Sequence, residues 1–228
     1  MKVLKLCLGM TLGLLLYFQS NVATAKKVLP LNDSSMSLTA RLLKNLPRRG
    51  VPGNRVGGAV RGNCTSGSNQ LVALLPETNF GLTMMLSPKF YVFVPTTEAK
   101  TAELRILDES NNVVHESTIQ LPASEGMISL SPNFELELGQ TYRWIFSLVC
   151  GDEVTDWVSV GGSISRVIPS SALESEDPQV RLEQMVDLGL WYDALAVLFD
   201  LYSAEETRDF AQATLSEIVE AFNWPITY

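Results

Sequence analysis

Between Thr141 and Cys150 the chain alternates with a period of two: Tyr142, Trp144, Phe146, Leu148 and Cys150 fall on one side, Arg143, Ile145, Ser147 and Val149 on the other. Successive side chains of a strand point to opposite faces, so this segment reads as a core strand that delivers its cysteine inward. Shorter runs of strand character surround it, separated by turn residues at intervals of about 8–12. Phe90 to Val94 is continuously apolar between Pro88 and Pro95, and Leu104 and Ile106 alternate with Glu103 and Arg105. Asp108 to Asn112 supplies turn-forming residues before Val113 to Ile119, which predicts a hairpin. Further strands are expected at 71–75, 127–130 and 157–160. Seven or eight short strands within residues 63–168 suit an immunoglobulin-like antiparallel β-sandwich. Leu136-x-Leu138-Gly139-Gln140-Thr141-Tyr142 also resembles a tyrosine corner, in which a hydroxyl bonds back to the preceding loop, although an ordinary core Tyr fits the same residues.

After Pro169 the period becomes 3.6. Asp177 before Pro178 reads as an N-cap with Pro at the first helical position, and Val180, Leu182, Met185 and Val186 follow at helical spacing up to Gly189. A second helix starts at once, and Gly189-x-Trp191-x-x-Ala194-Leu195-x-x-Leu198 is similar to half of a tetratricopeptide hairpin. Ser203-x-x-Glu206 reads as a capping box opening a third helix, whose apolar side carries Phe210, Ala211, Leu215, Ile218, Val219 and Phe222. A lone hairpin cannot bury its own apolar face; it must pack on the sandwich, on the third helix or on a partner.

The N-terminus sets the compartment. Lys2 and Lys5 precede an apolar run from Leu6 to Phe18, and Ala23-Thr24-Ala25 is a small-x-small cleavage site, so residues 1–25 read as a secretory signal. The run is too short for a membrane span, which needs about 20 apolar residues, so no stable span is expected after cleavage. The expected localisation is exported, periplasmic or extracellular. Cys7 leaves with the signal, and Cys64 and Cys150 remain as an even pair that reads as a disulfide in an oxidising compartment. By the chain-entropy model such a bond stabilises by up to about 4.5 kcal/mol.

Residues 26–62 form a leader punctuated by Pro30, Pro47 and Pro52, with a short helix expected around Leu38 to Leu46 and the remainder extended or partly disordered. The leader is basic, whereas in residues 172–228 only Arg181 and Arg208 face twelve carboxylates. Either the basic arm is an interaction tail or it lies against the protein's own acidic end. The whole chain carries 17 Lys plus Arg against 25 Asp plus Glu, a formal net charge of −8. An exported, acidic protein has neither the compartment nor the field for nucleic acid, so none is expected as partner.

The chemistry narrows further. A single His excludes sites needing two imidazoles, and three Cys exclude a four-thiolate zinc site, so neither metal nor cofactor is expected. His115 lies mid-hairpin beside Glu116 and Ser117, as on an exposed polar strand face, and no Gly-x-Ser-x-Gly nucleophile turn occurs. The chain is therefore expected not to be an enzyme. In Gly53-Asn-Arg55-Val-Gly57-Gly58-Ala-Val-Arg61-Gly62-Asn-Cys64, Arg55 and Arg61 are candidates to hold an anion bidentately. The same glycines equally suit a tight entry into the first strand.

Taken in order, Gly57-Gly58-Ala-Val-Arg61-Gly62-Asn-Cys64, Leu71-Val-Ala73-Leu74-Leu-Pro76, Pro88-Lys-Phe90-Tyr91-Val-Phe93-Val94-Pro95, Tyr142-Arg-Trp144-Ile-Phe146-Ser-Leu148-Val-Cys150 and Gly162-Ser-Ile164-Ser-Arg166 resemble a family of exported cyanobacterial proteins catalogued as domain of unknown function 928. Leu190 to Leu195 fits as well, while Ala59 and Lys89 depart from the pattern. The resemblance implies an exported, disulfide-linked domain and carries over no activity, substrate or catalytic residues. The expected organisation is a signal at 1–25, a basic leader at 26–62, a sandwich at 63–168 and a helical segment at 169–228. The expected function is a non-catalytic adaptor binding an envelope protein, the alternative being a module for an envelope polysaccharide or anionic ligand.

Overall fold

A computed structural model describes residues 36–48, 50–57, 64–151, 156–168 and 175–226. The elements in chain order are α1 (Leu38–Asn45), β1 (Val72–Ala73), β2 (Phe80–Thr83), β3 (Phe90–Val94), β4 (Thr101–Leu107), β5 (Val113–Gln120), β6 (Gly126–Leu130), β7 (Thr141–Leu148), β8 (Val158–Arg166), α2 (Pro178–Asp187), α3 (Trp191–Ser203) and α4 (Arg208–Ala221). The chain is mainly β, with two sheets and C-terminal helices.

One sheet has three strands in the order β1-β3-β6 and the other five in the order β2-β8-β7-β4-β5. Every pairing is antiparallel except β2 with β8. The alternation that marked β7 holds: Tyr142, Trp144, Phe146 and Leu148 are buried. Trp144 meets Phe90 of β3 at 4.9 Å between ring centroids, which joins the inner faces of the two sheets as a sandwich. The β4–β5 hairpin turns where expected, because Asp108 accepts from the backbone and side chain of Asn112 at 2.8 and 2.9 Å while Asn111 takes a left-handed φ of 65°. Tyr142 accepts a long 3.5 Å hydrogen bond from the Glu137 amide, five residues upstream, as the corner pattern requires.

Cys64 and Cys150 are bonded, with Cα atoms 5.3 Å apart. The leader's described residues before Gly57 enter the fold. Asn54 pairs with Gly161 on the free edge of β8, and Arg55 and Gly57 exchange backbone hydrogen bonds with Ala73 and Leu71 along β1. Residues 54–57 thus bind the edges of both sheets.

The helices complete the core. Asp177 caps α2 by accepting from the Gln179 and Val180 amides, and Pro178 occupies the first position, as read from the sequence. Gly189 closes that helix at φ 68°, and the Gly189 and Leu190 amides return to Val186 and Met185 in the 5→2 and 6→1 pattern of a Schellman motif. Asn223 at φ 49° does the same after α4, its amide and that of Trp224 bonding Glu220 and Val219.

α3 is buried from Trp191 to Leu198, where it lies against β2 of one sheet while Tyr192 meets Phe90 of β3 in the other edge-on at 5.7 Å. Its polar atoms satisfy backbone groups there: Trp191 Nε1 donates to the Leu74 carbonyl at 2.9 Å, and Tyr192 Oη donates to the Ser163 carbonyl at 3.2 Å while accepting from Trp144 Nε1 at 2.8 Å. Trp224 Nε1, beyond α4, donates to the Leu75 carbonyl at 3.2 Å. The hairpin's apolar face is therefore buried against its own sandwich.

Several expectations are corrected. β2 had no sequence signal, since Phe80-Gly-Leu-Thr is short and lacks alternation; it forms because β8 extends to Arg166 and offers an edge. Gly81 is required at that strand, since a Cβ there would lie 2.8 Å from Tyr192 Cε2 and 2.9 Å from Trp191 Cβ. Ser203 is no N-cap: it ends α3 and donates back to the Phe199 carbonyl, and a 3-10 turn at Glu205–Thr207 precedes α4. Phe210 is 39 % exposed, while Ala211, Leu215, Ile218 and Phe222 are buried as expected.

Candidate functional site

α3 continues past the sandwich edge onto the outer face of the three-stranded sheet, where Phe199 stacks on Tyr91 of β3 with centroids 4.3 Å apart. β3 is consequently buried along its whole length, Phe90, Val92 and Val94 on one side and Tyr91 and Phe93 on the other. Burial pushes the Tyr91 phenol well above the usual range, and the Asp200 charge adds to the shift.

Between β6 and the α3–α4 pair the contact opens into a groove of about 540 Å³. Phe93, Met127, Phe199, Tyr202 and Leu215 supply its apolar lining, and Glu125 is the only charged described residue among its walls. Glu125 is held in place: it accepts from Asn69 at 3.4 Å, from the Thr96 amide at 3.3 Å and from the Thr96 hydroxyl at 3.0 Å. Tyr202 is 40 % exposed, so an aromatic face remains open to solvent. From Asp200 to Glu220 six carboxylates accompany a single base, Arg208, whose Nε donates to the Tyr202 carbonyl at 3.3 Å. The sequence offered no signal for this groove, because residues from two strands and two helices meet there only in the folded chain.

The candidate anion pair is placed differently. Arg55 donates to the carbonyl of Phe222 at 2.7 Å and to Glu77 at 3.5 Å, so its guanidinium closes the C-terminal end of α4. Arg61 lies outside the described residues. Of the two readings of the basic arm, Arg41 follows the internal one: it grips Asp187 at 2.6 Å and Glu183 at 3.3 Å, tying α1 to α2. His115 is not on the exposed face of its strand; it is half-buried beside Phe134 at 5.8 Å, and its Nε2 has no hydrogen-bond partner. Trp157 is half-buried and donates to the Gly151 carbonyl at 3.2 Å.

One carboxylate is deeply placed. Asp193, 2 % exposed, accepts the Met84 amide on both oxygens at 3.2 Å. Burial raises its pKa above the ordinary carboxylate value, against the lowering effect of its hydrogen bonds from Thr83 and Met84. Among the described residues no three His, Cys, Asp or Glu side chains are grouped so as to hold a metal ion. Asp193 thus joins α3 to β2.

Comparison with known proteins gives a family and distant structural likenesses. No curated protein matches the chain. Among solved structures it is similar to the fn3 domain of human collagen alpha-1(XX) chain, at 11 % identity and a TM-score of 0.27, over 53 % of this chain and 98 % of that one. It is also similar to Bacteroides uniformis beta-glucuronidase 3, at 16 % identity and a TM-score of 0.22, over 37 % of this chain and 11 % of that one. The model of the family described as Domain of Unknown Function (DUF928) matches residues 56–225, so the chain belongs to that family.

Proposed function

We propose that the protein is an exported, non-catalytic adaptor that binds another protein of the cell envelope through the groove between β6 and the α3–α4 pair. The observation that carries this reading is the groove itself: an apolar cleft with an exposed Tyr202, open between β6 and the α3–α4 pair. Aromatic anchors in such clefts dominate binding at protein interfaces. The reading places the protein outside the cytoplasm, supported by the Cys64–Cys150 bond and by the N-terminal charged and apolar run. Among the described residues no helix is long and apolar enough to cross a membrane. The strand order β2-β8-β7-β4-β5 against β1-β3-β6 supports an immunoglobulin-like arrangement, a fold that serves binding in many settings without fixing the partner.

The test is a crosslinked pull-down of the tagged protein from its native envelope fraction, run beside Tyr202→Ala and the groove-filling Gln212→Trp. The expected result is a reproducible partner captured by the unaltered protein and lost with both variants. A blank, or a partner held equally by the variants, refutes the groove as the interface.

A further inference from the structure

We propose that a notch beside Arg143, on the outer face of the five-stranded sheet, binds an acidic sugar: a pyranose ring carrying one carboxylate. The alternation of β7 sends Tyr142 and Trp144 into the core and leaves Arg143 and Ile145 on the opposite face. Its cross-strand neighbours are Ser163 of β8 and Leu107 of β4, neither of which is charged. Other arginines are already engaged: Arg41 with Asp187, Arg55 with the Phe222 carbonyl and Arg105 with Glu103. Arg143 forms no ion pair among the described residues, and its Nε is buried with no acceptor. The terminal nitrogens of Arg143 likewise have no partner among the described residues but are not enclosed, so an incoming carboxylate can pair with them bidentately.

The surroundings select the rest of the ligand. The notch has a volume of about 320 Å³ and is lined, beside Arg143, by Asn54, Ser159 and Gly161. Asn54 is fixed by two backbone hydrogen bonds with Gly161, at 3.1 and 2.8 Å, and its side-chain amide donates to the Ser159 carbonyl at 3.4 Å. The Ser159 hydroxyl is held by that of Ser147 at 2.8 Å. These groups are immobilised before any ligand arrives, which lowers the entropic cost of binding. A carboxylate alone would use only the guanidinium; a ring bearing one carboxylate and adjacent hydroxyls uses the amide and the hydroxyl as well. The notch lies on the five-stranded sheet and the groove on the three-stranded one, so this inference is independent of the adaptor reading.

The test uses the exported protein labelled with ¹⁵N and titrated separately with D-galacturonic acid, D-galactose and acetate, following the Arg143 Nε–H resonance and the amides of Asn54, Ser159 and Gly161. The expected result is saturable movement of these signals with galacturonic acid, and affinities for galactose and acetate lower by about tenfold or more. Arg143→Gln and, separately, Asn54→Ala weaken galacturonic acid by a similar factor while leaving the remaining spectrum in place. If Arg143→Gln does not fold, the wild-type resonance map and Asn54→Ala decide the matter. No movement at Arg143, undiminished binding in the variants, or acetate bound as tightly as the sugar overturns the proposal.

Discussion

Tyr192→Phe is the sharpest probe of how helices and sheets hold together. The substitution keeps the ring, which is 1 % exposed, and removes one oxygen that accepts from Trp144 Nε1 and donates to the Ser163 carbonyl. Trp144 is itself 1 % exposed, so its indole N–H has no route to water once the hydroxyl is gone. Orphaning a buried donor costs about 1–3 kcal/mol, and the weakened carbonyl adds about 1 kcal/mol, giving roughly 2–4 kcal/mol. In a domain of this size that lowers the melting temperature by about 5–15 °C. Urea denaturation should show the midpoint falling with an unchanged slope. Combining the variant with Trp144→Phe should restore part of the loss, because both ends of the bond are then removed, with a coupling energy above about 1 kcal/mol. A loss below about 0.5 kcal/mol, or strict additivity with Trp144→Phe, would refute the bridge. Separate transitions for helices and sheets would refute their cooperation.

Further predictions follow from other contacts. Burial raises the Asp193 pKa in the folded state, so the folded form binds the extra proton and stability falls as pH rises from the ordinary carboxylate value towards the raised one. Asp193→Asn removes that loss: its stability relative to wild type should increase with pH across this window in paired urea titrations, and a pH-independent difference would contradict the assignment. Reducing the Cys64–Cys150 bond, which spans a sequence separation of 86, should lower the unfolding free energy by up to about 4.5 kcal/mol in guanidinium titrations; no change on reduction counts against it. Gly81→Ala should cost about 1–3 kcal/mol by overpacking against Trp191 and Tyr192, measurable by thermal melting, and a neutral result would mean α3 can withdraw from β2.

What the chain disclosed in advance was local. β3, the β4–β5 hairpin and β7 followed from alternation and turn residues, and α2 from Asp177, Pro178 and Gly189, because each signal lies within one turn or one strand of the structure it dictates. β2 escaped because its four residues form a strand only when β8 provides an edge. Ser203 misled because a Ser followed three residues later by Glu fits a cap and a helix end alike, and the long-range packing of α3 chose the latter. Arg55 drew attention as a free cation; its use at the end of α4 depends on a carbonyl 167 residues further along. The groove and the Arg143 notch are assembled from elements distant in sequence, so no local pattern announces them.

The carbonyls of Leu74 and Leu75 have a consequence for how the chain acquires its structure. They sit early in the sandwich, yet their partners are indoles at Trp191 and Trp224, 117 and 149 residues later. Contacts of such high sequence separation slow folding, since long loops must close before they are rewarded. A ribosome releasing this chain therefore leaves the sheets without their helical cover until Trp224 has emerged, and a nascent chain at that stage is vulnerable to aggregation.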